Sequence, residues 1–508
     1  MQDSSWPEND ARTELNLDIP DLAQEELKSL TSNSKVAKVF ALPDIGDSMF
    51  DAETTTERTV GVSVPGSPSF PDNLYRGRRG KAAAVLAAIW GGTIALHLIS
   101  WGAWVVWALT GLLWVQALRV LLAKPKPTLP PLADESREDW PYVSLLVAAK
   151  NEEAVIARLV ESICNLDYPI DRYELWAIDD RSSDATPMVL EQLTKQYPQL
   201  KVFRREANAS GGKSGALNQV LPLTRGEFVG IFDADATVTP DLLRHVLPVF
   251  DRQQVGAVQV RKAIANAAVN VWTRGQEAEM ALDSFFQQQR TAIGGIGELR
   301  GNGQFMRRTA LERCGGWNEE TITDDLDLTV RLHLDRWDIE FLAFPAVSEE
   351  GVTNAGALWH QRNRWAEGGY QRYLDYWRLI LRNRMGTGKT WDLFGFWVSQ
   401  YLLPTVAFPD CLMSVALRRM PIASPLTFMT LTLSVVGMFV GLRRTRKQTK
   451  FEVKTVFVTL LQTLRGTVYM LHWLLVGTVT ARIAVRPKRL KWVKTVHQGA
   501  ATINSVDS

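Results

Sequence analysis

The sequence predicts a mostly parallel α/β domain placed between membrane-spanning helices. Residues 82–118 contain no Asp, Glu, Lys or Arg, and residues 142–350 alternate short apolar runs with helical patterns. Acidic residues follow two of those apolar runs directly. An apolar stretch of about 20 residues crosses a bilayer, and alternation of strands with helices is typical of a parallel sheet. We therefore expect a multi-pass membrane protein with one α/β domain.

The N-terminal part, residues 1–75, is polar and rich in Ser, Thr and Pro, and it carries 14 Asp/Glu against 5 Lys/Arg. Because such a segment buries little apolar surface, we expect a disordered acidic tail. The whole chain has a net charge of +2, so the remainder is basic. This diffuse excess of positive charge favours contact with a lipid bilayer. Because the sequence contains no nucleic-acid-binding motif, we expect no nucleic-acid partner. The sequence points to no protein partner.

The long apolar stretch is long enough for two membrane helices. We expect them to form a hairpin at 82–123, with a break near Ser100-Trp101-Gly102. Basic residues stand at both of its ends: Arg76, Arg78, Arg79, Lys81, Lys124 and Lys126. Because basic flanks remain in the cytoplasm, a hairpin places the domain at 140–355 there too.

Residues 391–481 contain three weaker membrane candidates, at 393–417, 420–442 and 456–481. The first contains two prolines and Asp410, which favours a kinked or interfacial helix. The third contains Arg465, which should face protein or water or reach an edge of the bilayer. The basic tail at 482–508 is expected in the cytoplasm, whereas three full spans would place it outside. Either one candidate is interfacial or the charge rule fails here.

Five apolar runs in the α/β domain are predicted strands, at 142–149, 174–179, 201–203, 228–233 and 255–260. A helix is expected near 187–197, and residues 301–305 are expected to form a tight loop. In open parallel sheets, ligands bind beyond the carboxyl ends of the strands. Side chains that follow these runs are therefore the first candidates for a binding site.

Two pairs of acidic residues stand at such positions. Asp179 and Asp180 end the second strand, and Asp233-Ala234-Asp235 ends the fourth. Carboxylates spaced two residues apart can face one cleft, and their oxygens suit Mg²⁺, with Mn²⁺ as the alternative. A divalent ion there would hold a diphosphate and neutralise the charge of its departure. The simpler interpretation is that these residues cap a helix or start a turn.

Two further segments could contact a phosphate or accept a proton. Gly211 and Gly212 allow close approach to the backbone, and Lys213 offers a positive charge to phosphate, although this is not a Walker A loop. Asp324 and Asp325 precede an apolar helical pattern, where one carboxylate could accept a proton from an attacking hydroxyl. The alternatives are a plain Gly-rich helix start and acidic capping of a helix.

Residues 356–390 mix aromatic with basic side chains, and 360–389 contains seven Lys/Arg against two acidic residues. This composition suits an amphipathic helix at the membrane interface, with rings among the lipid headgroups and cations on phosphate. An ordinary solvated helix face is the alternative.

The order of the motifs is more specific than any one of them. VAAKNEE, IDDRSSD, GGKSGALN, FDADA, GNGQFMRR, TDDLDL and QRNRW follow one another between about 140 and 370. This series resembles the inverting family 2 glycosyltransferases, which have a nucleotide-sugar-binding GT-A fold. The whole-chain pattern, including RGRRGKAA and WHQRNRWAEGGYQRYLDYW, resembles cyanobacterial members that transfer glucose from UDP-glucose to 1,2-diacylglycerol with Mg²⁺. It implies glycolipid synthesis at a plasma or thylakoid membrane.

The resemblance also implies roles for the acidic strand ends and for the glycine-rich segment. Asp179 and Asp180 would contact the nucleotide of the donor, and Lys213 would lie near its diphosphate. Asp233 and Asp235 would form the metal-binding pair, with Asp235 as the direct ligand and Asp233 also near the donor.

Other matched positions concern the acceptor. Asp325 would be the catalytic base and would accept the proton of the attacking hydroxyl. The reaction would then be a single displacement that inverts the configuration of the anomeric carbon. Asp324 stands where the family usually has Glu. Gln361, Arg364 and Trp365 match the family's QxxRW motif, near the acceptor and the diphosphate.

Three other functions remain to be weighed. A processive polysaccharide synthase of the same family shares QxxRW but needs a membrane channel, for which the candidate spans look sparse. A sugar-nucleotide-binding regulator without activity would not need the acidic motifs. A transporter would place its polar residues inside the spans. Glucose and galactose cannot be distinguished from these motifs.

Overall fold

The computed structural model describes Phe70, residues 74–447 and residues 452–486. The strands are β1 (Val143–Ala149), β2 (Tyr173–Asp179), β3 (Leu200–Arg204), β4 (Phe228–Phe232), β5 (Val255–Ile264), β6 (Gln304–Arg307) and β7 (Asp338–Glu349). The α-helices are α1 (Arg78–Leu98), α2 (Gly102–Leu122), α3 (Ile156–Cys164), α4 (Thr186–Thr194), α5 (Gly212–Val220), α6 (Leu242–Val246), α7 (Val271–Ala292), α8 (Arg308–Arg313), α9 (Asp324–Leu334), α10 (Ala355–Leu381), α11 (Thr387–Trp397), α12 (Leu403–Leu417), α13 (Ser424–Thr445), α14 (Val453–Tyr469) and α15 (Val476–Val485).

The strands form one sheet in the order β3-β2-β1-β4-β6-β5-β7. Only β6 runs antiparallel to its neighbours within this sheet, so the sheet is mostly parallel, as predicted. All five predicted strands are present as β1 to β5. The loop predicted at 301–305 is confirmed at its start, where Gly301 and Gly303 have φ angles of 84° and 66°. It is wrong at its end, because Gln304 and Phe305 belong to β6.

Successive side chains of a strand point to opposite faces of the sheet, and here they are buried on both faces under helices. Leu145 and Val147 of β1 face one core together with Ile156 of α3. Leu146, between them, faces the second core, where it packs with Leu328 of α9. Full burial of each such side chain contributes about 1.5–3 kcal/mol, which fixes the register of the central strands and hence the position of their carboxyl ends.

The first two helices form a tight hairpin, with the break where it was expected. Helix α1 ends at Leu98 and α2 begins at Gly102. A Cβ atom at Gly102 would lie 1.9 Å from the carbonyl oxygen of Leu96, so the turn requires glycine there. At its other end α1 is fixed to α10, because the buried Arg78 Nε donates to Asp375 Oδ1 over 2.9 Å.

Among the described residues, four helical segments are long and apolar enough to cross a membrane: Arg78–Leu98, Gly102–Leu122, Ser424–Thr445 and Val453–Val485. The candidate at 393–417 is not one of them. It is divided between α11 and α12 by a π-helical segment, Val398–Leu402. Its Asp410 is buried and accepts hydrogen bonds from the backbone N–H groups of Ile422 and Ala423, at 2.9 and 3.1 Å.

Helix α10 occupies most of the segment predicted at 356–390. Tyr370, Leu374 and Tyr376 are buried, whereas Trp359 and Trp377 are exposed. One face thus packs inside the protein, and the expected location of the other at the membrane interface stays a prediction. The tails predicted at 1–75 and 482–508 lie outside the described residues, apart from Phe70, 74–75 and 482–486.

Candidate active site

A cavity of about 1500 Å³ begins at the carboxyl ends of the central strands. Ala149 of β1 and Asp180 and Asp233, which directly follow β2 and β4, line this end. The same cavity continues to Leu113 of α2 and Phe428 of α13, in two of the candidate membrane spans. One continuous space therefore joins the acidic strand ends to the membrane helices.

The acidic pair after β2 divides between two environments. Asp179 is buried, accepts a hydrogen bond from the backbone N–H of Ser182 at 2.9 Å, and lies outside the cavity lining. Asp180 lines the cavity, and its Oδ1 lies 2.7 Å from Arg205 Nη1. Asp180 is thus placed to meet a ligand, whereas Asp179 shapes the turn beneath it. The nucleotide contact predicted for Asp179 stays a prediction.

Arg205 connects this turn to the glycine-rich segment. Its guanidinium donates to the carbonyl oxygen of Gly212 at 3.3 Å and also to that of Ser210. Gly211 has a φ angle of 80°, a left-handed conformation that favours glycine, and α5 begins at Gly212. This bend delivers Lys213 to the cavity from the first turn of α5.

Lys213 forms an ion pair across the cavity with the first acidic residue after β4. Its Nζ lies 2.6 Å from Asp233 Oδ1. Burial alone would lower the pKa of Lys213, but Asp233, Asp324 and Asp325 raise it above its usual value. The lysine therefore stays charged at the strand ends, where it can bind an anion.

The second acidic residue after β4, Asp235, is buried beside the end of β7. Its Oδ2 accepts a hydrogen bond from the backbone N–H of Glu350 at 2.9 Å. Within the described part of the chain, no group of three or more His, Cys, Asp or Glu side chains could hold a metal ion. Asp233 and Asp235 nevertheless fit a Mg²⁺ or Mn²⁺ ion, because such ions bind one or two carboxylates together with substrate phosphates.

Asp324 and Asp325 open α9 and line the same cavity. Burial, and next the neighbouring Asp324, raise the pKa of Asp325 to about 6. The turn at 301–303 lies close to the Asp325 side chain, since a Cβ atom at Gly301 would lie 3.3 Å from Asp325 Oδ2. A carboxylate with this pKa suits proton transfer near neutral pH.

The QxxRW residues lie on α10 and all line the cavity. Gln361 Oε1 accepts a hydrogen bond from Arg362 Nη1 at 2.8 Å. The Trp365 ring lies between two cations, with the Arg362 guanidinium 4.1 Å and Lys262 Nζ 5.4 Å from its centroid. Burial lowers the pKa of Arg364, and Asp233 and Asp325 oppose that shift.

Sequence reasoning missed two cations of this site. Lys262 lines the cavity and pairs with Glu349 at 3.0 Å, so β5 and β7 both contribute to the site beside Asp235. A lysine inside the apolar strand VGAVQVRKAI was the available signal, because an unpaired buried lysine is rare. Arg205 had no such signal, since its partner Asp180 is 25 residues away in sequence.

The structure thus brings together most of the residues predicted for the site. Lys213, Lys262 and Arg364 surround one end of the cavity with Asp233 and Asp325, while Asp324, Gln361 and Trp365 complete its wall. Fixed cations, with an acidic pair that could bind a divalent ion, suit a diphosphate, and a carboxylate with a raised pKa suits deprotonation of a nucleophile.

Comparisons with known proteins point to the same class. Residues 141–368 match a family described as Glycosyltransferase like family 2. The chain is 59% identical to the β-monoglucosyldiacylglycerol synthase of Trichormus variabilis, over 98% of this chain and 100% of the relative. It is 59% identical to that of Synechocystis sp., over 86% and 92%. The solved mannosyltransferase PcManGT from Pyrobaculum calidifontis, in complex with GDP-Man and Mn2+, is 21% identical, over 77% of this chain and 99% of that one, with a TM-score of 0.46.

The fold is that of a GT-A glycosyltransferase flanked by apolar helices, so the predicted fold class is confirmed. The 59% identity extends over nearly the whole chain and not only over the catalytic domain. The chain belongs to the family of β-monoglucosyldiacylglycerol synthases, as the whole-chain resemblance implied.

Proposed function

We propose that this protein transfers glucose from UDP-glucose to the free hydroxyl of 1,2-diacylglycerol and forms β-monoglucosyldiacylglycerol. The observation that carries this proposal is the single cavity from the acidic strand ends to the membrane helices. A water-soluble donor and a lipid acceptor need a site with one polar and one apolar end. The names of the 59% identical relatives supply the product.

The donor binds at the strand ends. Asp180 contacts the nucleotide, and Lys213 and Arg364 lie against the diphosphate. Asp235 and Asp233 would hold a divalent ion. Such an ion would supply positive charge against the leaving diphosphate of UDP. These cations are already in place around the cavity, so they need no rearrangement as charge develops on UDP.

Asp325 acts as the general base. It accepts the proton of the acceptor hydroxyl while that oxygen forms a bond to the anomeric carbon and the bond from that carbon to UDP breaks. Attack opposite the leaving group turns the α-linked donor into a β-glycoside in one step. Asp324 is the second carboxylate of the pair, and it keeps the pKa of Asp325 above the usual range.

The raised pKa of Asp325 predicts the pH profile. Only the ionised carboxylate can accept a proton, so kcat/KM should fall about tenfold for each pH unit below about pH 6 and level off above it. An ordinary aspartate would keep activity to about pH 4. Initial rates of transfer between pH 4.5 and 8.5 test this expectation, and a flat profile down to pH 5 would contradict the assignment of the base.

The acceptor enters from the bilayer. Phe428 of α13 and Leu471, which lies between α14 and α15, line the cavity and are 67% and 60% exposed. Both belong to candidate membrane spans, so this end of the cavity is where we expect lipid to enter. Acyl chains can remain among these side chains while the glycerol hydroxyl reaches Asp325.

Four membrane crossings, one by each candidate span, are consistent with the charges of both tails. Two spans precede the catalytic domain and two follow it, so both tails lie on its cytoplasmic side. With Cys411, the exposed native cysteine, changed to Ser, a Ser508→Cys variant should react with an impermeant thiol reagent in inverted vesicles only. Reaction in right-side-out vesicles alone would mean an odd number of spans.

A transfer assay in membranes tests the proposed function. Labelled UDP-glucose or UDP-galactose is supplied with diacylglycerol and Mg²⁺, with a chelator in parallel, and the lipid products are separated. One metal-dependent glucosylated lipid is expected. Labelled polymer without labelled lipid would instead favour a processive synthase, and preference for UDP-galactose would overturn the assigned donor.

A further inference from the structure

A network of buried and half-buried charged side chains lies between Asp325 and the candidate membrane helices. It consists of three arginines and three carboxylates: Arg290, Arg300, Arg372, Asp283, Glu298 and Asp392. Glu298 is its centre, at 2.8 Å from Arg372, 2.9 Å from Arg300 and 3.6 Å from Arg290. All members except Glu298 line the cavity, so a bound acceptor passes this network on its way to the base.

Part of the Arg290 guanidinium makes no hydrogen bond, as is also true of Arg372 Nε. Arg290 is only 4% exposed. Its Nε donates to Asp392 Oδ2 at 2.8 Å, and its guanidinium lies 4.4 Å from the centroid of the Phe396 ring. Its Nη2 is buried and makes no hydrogen bond to any residue in the described part of the chain. A buried N–H donor without an acceptor is unfavourable, so a ligand oxygen at this position would remove that cost.

Asp392 fixes the direction of this donor. Besides Arg290, it accepts hydrogen bonds from Gln116 Nε2 at 3.2 Å and from the backbone N–H of Ile296 at 2.9 Å. Gln116 lies on α2, a candidate membrane span, and Arg290 lies on α7 of the catalytic domain. The guanidinium is therefore held where the polar part of the cavity meets the membrane helices.

The charge of the network indicates what the free donor binds. The three arginines are balanced by three carboxylates within the network, so no positive charge remains for an anionic headgroup. A neutral oxygen acceptor does not disturb this balance. Arg300 is next to Gly301, which approaches Asp325, and Arg290 is linked to Arg300 through Glu298. In 1,2-diacylglycerol the nearer ester group is attached to the carbon next to the one that carries the free hydroxyl.

We propose that Arg290 donates a hydrogen bond through Nη2 to an acyl ester carbonyl of the acceptor and so selects ester-linked glycerolipids. Arg290 is a positioning and specificity residue, since it touches the acceptor but not the reacting atoms. This inference rests on the proposed transfer to diacylglycerol and deepens it. An ether-linked acceptor has the same hydroxyl and the same chains but lacks the carbonyl oxygen.

Purified full-length protein in detergent micelles tests this inference with 1,2-diacylglycerol and the 1,2-dialkylglycerol of equal chain length. Wild-type kcat/KM should favour the ester about ten- to a hundredfold, because one charge-assisted hydrogen bond is lost with the ether. The difference should appear mainly in KM for the lipid, since the carbonyl does not take part in bond making. Equal rates for the two lipids in the wild-type protein would overturn the inference without any variant.

Arg290→Lys should lower the ester-to-ether ratio towards one. Lysine keeps a positive charge beside Asp392 but cannot supply the Nη2 donor. Arg313→Lys is the matched control, because Arg313, like Arg290, pairs with an aspartate (Asp335, at 2.9 and 3.0 Å) but does not line the cavity. Its ratio should equal that of the wild type. A loss shared equally by both lipids in Arg290→Lys would assign Arg290 a structural role only, and a wild-type protein that glucosylates neither lipid would overturn the proposed function itself.

Discussion

Asp325→Asn should lower the transfer rate by about 10²–10⁴-fold and leave UDP-glucose binding nearly unchanged. The substitution keeps the shape of the side chain but removes its ability to accept a proton. Rates of glucosyl transfer and calorimetric titration with UDP provide the two measurements. Loss of UDP binding together with activity would show that Asp325 belongs to the donor site instead.

Thermal unfolding separates this effect from damage to the fold. The folded-state pKa of Asp325 is raised to about 6, so its ionised form destabilises the folded protein above that pH. The folded state binds the extra proton between the unfolded pKa, near 4, and the folded pKa, so stability falls as pH rises through this window. Asp325→Asn should therefore unfold at a higher temperature than the wild type at pH 8, and this advantage should vanish near pH 4.

Asp235→Asn should lower kcat/KM by about 10²-fold, because metal stabilisation of the leaving group contributes several kcal/mol and each tenfold change in rate is about 1.4 kcal/mol. The amide oxygen can still accept the hydrogen bond from Glu350, so the fold should persist. Excess Mg²⁺ should restore part of the activity of this variant and none of the activity of Asp325→Asn. A titration of transfer rate against Mg²⁺ measures both.

A nearby aspartate serves as the control for Asp235. Asp241 follows the same strand end, but its side chain is 52% exposed, and it pairs with Thr239 and His245 away from the cavity. Asp241→Asn should therefore keep the rate and metal dependence of the wild type. A metal dependence in Asp235→Asn identical to that of the wild type would remove Asp235 from the metal site.

The central strands and their acidic ends could be predicted because each of them is a local pattern. Five apolar runs of strand length gave five strands, and the rule for ligand binding at strand ends led to Asp180, Asp233 and Asp235. The hairpin break was equally local, since it depends on the close packing of Gly102 against Leu96. Burial that repeats within a few residues is visible in a sequence.

The remaining two strands of the sheet could not be predicted in this way. Strand β6 has only four residues, and it begins directly after the Gly301–Gly303 turn, so it has no pattern of its own. Strand β7 contains Pro345, and a proline in a sequence argues against a strand at that position. The proline is tolerated because β7 is an edge strand and residues 343–345 form a bulge opposite β5.

The network around Glu298 shows what only the fold can provide. Its partners Arg290, Arg300 and Arg372 come from three separate parts of the chain, and Arg372 lies on α10. In the sequence, these arginines are ordinary charged residues, and the basic pattern of α10 suggested contact with lipid headgroups. Burial of such charges is favourable only when the fold brings opposite charges together.

The anomeric configuration of the lipid product tests the central claim most directly, because a single displacement in one cavity allows only one outcome. Purified protein is supplied with UDP-glucose, diacylglycerol and Mg²⁺, and the product is analysed by proton NMR of its anomeric position. The account predicts a β-linked diacylglycerol carrying one glucose. An α-linked product would contradict it, since retention requires a second displacement or another mode of attack than the one assigned to Asp325.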